Sequence, residues 1–155
     1  MLTGLPSKDS TKNKLKLLVE ELILFVIGGC IYMGIEIAAR GFTHWSMGIV
    51  GGLCFVIIGL LNEIFTWNML FQTQCFIGAI TITALEYISG CILNIWLGWN
   101  IWDYSDRPFN LNGQICLQNC FYWVILSAVA ILLDDYIRYY VFKEEKPRYY
   151  FIKKK

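Results

Sequence analysis

Acidic side chains set inside long apolar runs are the first residues here whose type and position point to chemistry. Glu86 sits in the middle of the run 72–98, about 21 Å along a helix at 1.5 Å per residue. A charged acid at the centre of a membrane-spanning helix costs about 2.5–3.5 kcal/mol on insertion scales. It must therefore be neutral, or paired inside a bundle, or engaged in a task. Gly90 and Asn94 follow one and two helical turns later, so one face combines an acid, a gap and an amide. That face suits a polar path or a proton- or cation-linked step. Glu36 lies near the end of an earlier apolar run, with Arg40 one turn on in the favourable order for an ion pair. Asp134 and Asp135 precede Arg138 by one turn and read as a structural ion pair at a helix end.

Two polar loops add a second set of candidates. The stretch RGFTHWSM, residues 40–47, brings the single histidine, His44. The stretch WDYSDRPFNLNGQICL, residues 102–117, brings Asp103, Asp106, Arg107, Asn110, Asn112 and Gln114. Placed side by side above a bundle, with Glu36 below, such groups suit binding of a polar solute, or a His44–Asp103 acid–base pair. The plainer alternative is a hydrated loop anchored at the interface by Trp45, Trp99 and Trp102. No catalytic residue is assigned on this basis. Cys116 and Cys120 lie one turn apart, but a lone histidine and the lack of a CxxC pair argue against a metal centre. Nothing in the sequence calls for a cofactor.

The elements that must position these groups follow from composition. Of 155 residues, 57% are apolar and only 16% charged, below the quarter or so usual in soluble domains. Seven of thirteen Lys and Arg lie from Arg138 onward and four before Leu17. The pattern predicts an integral membrane protein, all-α, with four transmembrane helices at about 17–39, 46–65, 72–98 and 118–142. Residues 1–16 form a cytoplasmic tail, 17–142 a single transmembrane domain, and 143–155 a basic cytoplasmic tail. The first apolar run is too long for a cleaved leader and reads as an uncleaved helix. Basic residues on the two tails outnumber those on the opposite loops, Arg40 and Arg107, which gives N-in/C-in topology. The residues left for loops are too few for a soluble catalytic domain, and no P-loop or dinucleotide fingerprint occurs. Nucleotide chemistry would thus need a separate ATPase subunit. The basic residues are accounted for by topology, without nucleic acid. With Tyr149, Tyr150 and Phe151, the C-terminal lysines suit an anionic inner leaflet.

Each run also carries a narrow stripe of small or polar residues at helical spacing. The first reads Glu21, Phe25, Gly28 or Gly29, Tyr32, Glu36, Arg40; the second reads Gly48, Gly52, Phe55, Gly59, Asn62 or Glu63, Thr66. The third reads Cys75, Ala79, Thr83, Glu86, Gly90, Asn94, Gly98, and the fourth Cys116, Cys120, Trp123, Ser127, Ala130, Asp134, Arg138. Small residues let membrane helices approach closely, so these stripes should face one another, or form a homodimer seam.

RGFTHWSM, GGLCFVIIGLLNE (51–63), ITITALEYISGCILN (80–94) and WDYSDRPFNLNGQICL together resemble the CmpB-like small bacterial membrane proteins grouped as ABC-transporter permeases of type IV. The resemblance implies a four-helix protein of the bacterial plasma membrane, multi-pass, acting as a transport component. It brings no catalytic residues with it. The uncharged turn at Thr66–Phe71 offers little to an ATPase, so coupling would fall to the tails. Three functions compete: transport through Glu86 and Asn94, an enzyme using His44 and Asp103 at the outer surface, and a non-catalytic partner subunit.

Overall fold

The computed structural model describes residues 8–61 and 69–152. Parts of several expectations lie outside the described residues: the first seven residues of the N-terminal tail, positions 62–65 of the second run with Asn62 and Glu63, the first half of the Thr66–Phe71 turn, and Lys153–Lys155.

Among the described residues the fold is all-α, with four helices. Helix α1 spans Lys8–Arg40, α2 Trp45–Gly59, α3 Phe71–Gly90 and α4 Leu117–Ile137. Both α3 and α4 continue in wider, π-helical turns, over Cys91–Trp96 and Arg138–Phe142. In the first of these the Leu97 amide reaches back five residues to the Ile92 carbonyl at 2.9 Å. Three stretches are long and apolar enough to cross a membrane: Lys12–Arg40, Phe71–Trp96 and Leu117–Phe142. Helix α2 is equally apolar but shorter over its described length. A two-residue hairpin, β1 (Asn110–Leu111) with β2 (Ile115–Cys116), sits in the loop between α3 and α4.

The breaks have local causes. α1 ends where Gly41 takes a left-handed φ of 81°, and His44 restarts the chain as the N-cap of α2, its Nδ1 accepting from the Ser46 amide. The π-turn after α3 stops at Gly98, φ 68°.

Helices α1 and α2 pack as an antiparallel hairpin through the small residues of their stripes. A Cβ on Gly28 would strike Phe55, one on Gly29 the Gly48 carbonyl oxygen, and one on Gly51 the Tyr32 ring. α3 and α4 form a second hairpin, with Gly78 against Ser127. Cys54, Ile58, Ala79, Ile82, Trp123 and Ile131 fill the core where α2, α3 and α4 meet. The outward faces are the reverse of a soluble protein's. Leu18 is 67% exposed, Ile80 67% and Ile125 65%. Each such side chain left in water forgoes about 1.5–3 kcal/mol, so the faces belong in hydrocarbon. This is a membrane protein.

Candidate functional site

Glu86 is buried at the α3–α4 interface and held by two neutral donors. The Trp123 indole donates from Nε1 to Oε2 at 2.7 Å, and the Tyr104 hydroxyl donates to Oε1 at 3.3 Å. No ion pair reaches it among the described residues. Trp123 belongs to the α4 stripe, while Tyr104 comes down from the loop after α3. Burial first, and Glu86 beside it second, push the Tyr104 hydroxyl well above its ordinary range, so it keeps its proton and donates. Tyr32 stacks on Trp123 with ring centres 6.1 Å apart. Tyr32, Tyr104 and Trp123, with Glu36, Arg40 and Arg107, line a cleft of about 520 Å³. The carboxylate is thus screened from the cleft by its own donors.

Asn94 does something other than continue a path from Glu86. Its Oδ1 accepts from the Ile101 amide at 2.7 Å, and its Nδ2 donates to the Trp102 carbonyl at 3.0 Å and to Gln114 Oε1 at 2.9 Å. Gln114 also fills the space beside Gly90, where an added Cβ would meet its Oε1 at 2.6 Å. The gap expected next to the acid is therefore taken by a side chain of the capping loop. The Trp102 indole closes the clamp by donating to the Gln114 carbonyl at 3.0 Å. Arg40 fastens the same loop to α1, donating from Nη1 to the Ile101 carbonyl at 3.0 Å and from Nη2 to Glu36 at 2.8 Å. Thr43 takes the second Glu36 oxygen at 2.6 Å.

His44 and Asp103 are not brought into an ion pair. His44 Nδ1 is engaged by Ser46 Oγ at 2.8 Å, and its ring packs against Trp45 and Trp99. Asp103 faces outward and accepts from the Ser105 amide and hydroxyl, at 2.8 and 2.5 Å. Those bonds lower its carboxyl below the usual range. Asp106 and Arg107 face each other on the surface at 3.7 Å. Asn110 bonds the Ser105 and Arg107 carbonyls and accepts from the Gly113 amide, which makes it a turn former.

At the other end of the bundle Arg138 gathers acids from three segments. Its Nε donates to Asp134 at 2.7 Å, its Nη2 to Glu21 at 2.8 Å, and Glu144 lies 3.6 Å from Nη1. Asp135 accepts from the Tyr149 hydroxyl at 2.7 Å. Burial, then Asp135, push that hydroxyl well above its ordinary range, so it too remains a donor. The expected Asp134–Arg138 contact is present; Glu21 and Glu144 join it, and Tyr149 reaches Asp135 beside it, none of which helical spacing alone gives.

A buried acid held by neutral donors lies under an ordered polar cap, in an all-α membrane protein with lipid-facing apolar helices. The sequence profile of the family described as "Putative ABC-transporter type IV" matches residues 21–152, and the chain belongs to that family. No curated protein and no solved structure matches it significantly. Family and helices together fit a membrane transport component.

Proposed function

We propose that this chain is the membrane-embedded, permease-like component of a transporter in the bacterial cell membrane, crossing it four times with α2 as the fourth span. Both tails are cytoplasmic, the loops at 40–46 and 97–116 lie outside, and the basic C-terminal segment rests on the anionic inner leaflet. A separate ATPase subunit supplies the energy, as the family's type suggests. The observation that carries this reading is Glu86: a buried carboxyl without a cationic partner among the described residues, whose two donors line the outer cleft. A purely structural acid is ordinarily matched by a base, as Asp134 is by Arg138. Movement of Tyr104 with the outer loop would open Glu86 to the cleft, with Glu36, Arg40 and Arg107 at the entrance.

The geometry gives less support to the other readings. An enzyme built on His44 and Asp103 lacks their contact. A homodimer or partner seam built on the glycine stripes finds Gly28, Gly29, Gly51 and Gly52 already used between α1 and α2. The test uses the complex recovered from native membranes and reconstituted in vesicles. Glu86→Gln should abolish ATP-dependent solute or proton flux and leave the unfolding temperature nearly unchanged. Full flux in the variant would refute the role of Glu86, and recovery of no ATP-hydrolysing partner would refute the permease reading.

A further inference from the structure

The outer cleft does not end at Glu86's donors. A smaller apolar space of about 80 Å³ lies deeper, between α1, α2 and α4, with Gly28, Ile58, Ala130 and Leu133 in its wall. The two spaces share Tyr32, Ile35, Trp123 and Leu126, so they are parts of one groove running down the α1–α4 side. From Arg40 to Gly28 the groove follows α1 for about 18 Å, close to one leaflet's half of a hydrocarbon core about 30 Å thick. Its rims are open sideways, with Ile35 39%, Ile125 65% and Val129 55% exposed.

Charge distinguishes the two ends. At the mouth Glu36 has both oxygens occupied, by Arg40 and Thr43. Arg40 keeps a buried Nε without an acceptor among the described residues. Arg107 is half exposed, and its partners stand off at 3.5 Å (Gln118) and 3.7 Å (Asp106). The mouth therefore has cationic hydrogen-bonding capacity left over, whereas the deep end offers only apolar walls. We infer that this groove binds an anionic amphiphile, its charged head at Arg40 and Arg107 and its acyl chain along α1 and α4 beneath. A free anion would leave the apolar half unused, and an uncharged hydrocarbon would leave the spare donors of Arg40 and Arg107 unused. The inference rests on the transport reading in one respect, since Tyr104 and Trp123 serve both the groove and Glu86, and it names the class of substrate.

Delipidated protein in neutral detergent, titrated and read by native mass spectrometry, tests this without any transport assay. Dioleoylphosphatidylglycerol should bind about tenfold more tightly than dioleoylphosphatidylcholine, as two basic contacts to an anionic head allow. Arg107→Gln, which leaves one of the two contacts, should reduce that preference to about threefold. Ala130→Phe should weaken both by filling the deep end; should that variant misfold, Val129→Trp at the exposed rim serves instead. Equal binding of the two lipids to the unmodified protein would overturn the proposal, as would indifference to the groove-filling variants. Displacement of the lipid by glycerol phosphate alone at equal concentration would also overturn it, by showing a site for a free anion. Loss of binding with Glu86-dependent flux intact would sink this inference alone, and binding without flux would sink the transport reading alone.

Discussion

Replacing Arg138 by Met removes a cation that contacts Asp134, Glu21 and Glu144 together. The magnitude follows from burial. Arg138 and Asp134 side chains are 6% and 1% exposed, Arg138 bonds Asp134 Oδ2, and Asp134 Oδ1 has no hydrogen-bond partner among the described residues. Deleting one member of such a pair strands the other's charge and costs about 3–5 kcal/mol. Glu21 and Glu144 are 25% and 29% exposed and can turn to water, so each adds at most about 1 kcal/mol. The same reasoning fixes the sign of a second change. Asp134→Asn in the Arg138→Met background removes the stranded charge and should restore at least about 2 kcal/mol, a coupling that independent sites would not show. Unfolding by sodium dodecyl sulfate in mixed micelles, followed by circular dichroism on the four proteins of the cycle, measures it. A single-variant loss below about 1 kcal/mol, or strict additivity, would refute the view that this contact is a desolvated pair.

Gly29→Val should destabilise by about 1–3 kcal/mol, because its side chain meets a helix carbonyl that cannot move aside, whereas Gly34→Ala, with nothing within 4 Å, should be neutral or slightly stabilising in the same unfolding assay. Asn94→Ala gives up three hydrogen bonds and should cost about 3 kcal/mol, with faster amide exchange confined to the loop after α3. Tyr149→Phe should lose about 1.5–3 kcal/mol from its bond to Asp135, and Tyr136→Phe, tested beside it, should not. Single cysteines at Phe42 and Phe109, in a background without native ones, should label from outside intact cells, and one at Lys146 only after permeabilisation; the reverse pattern would overturn N-in/C-in topology.

Helix positions were legible because hydrocarbon imposes a single rule on every lipid-facing residue. The expected runs 72–98 and 118–142 fall within two residues of Phe71–Trp96 and Leu117–Phe142. The stripes were largely legible for the same reason, since Gly28, Gly29, Gly48 and Gly52 permit the observed approach of α1 to α2, although Gly51, outside the expected stripe, is needed there too. Partners were not. Tyr104 lies in a loop, where no periodicity assigns a direction, yet it reaches Glu86 across 18 positions. Gly90 looked like an opening, because spacing records the absence of a side chain and not the group that fills the space. Arg138 found Glu21 across 117 positions, a contact decided by how two hairpins dock. His44 and Asp103 were the right chemical types, but capping and turn formation claimed them first.

The wide turn at Cys91–Trp96 also bears on how such a protein can change. A π-turn is an α-helix with one extra residue, and each residue added rotates the downstream chain by about 100° while the upstream helix stays in place. Upstream lies Glu86 with Trp123; within and beyond the turn lie Asn94 and the cap it holds. Deleting one residue from 91–96 would return the helix to even winding and turn Asn94 away from Gln114, leaving the Trp123–Glu86 bond in place but drawing Tyr104, which descends from the cap, off the acid's other oxygen. The interior and the cap thus meet at a one-residue joint, and the length of that turn sets whether the loop's Tyr104 hydroxyl reaches the buried acid.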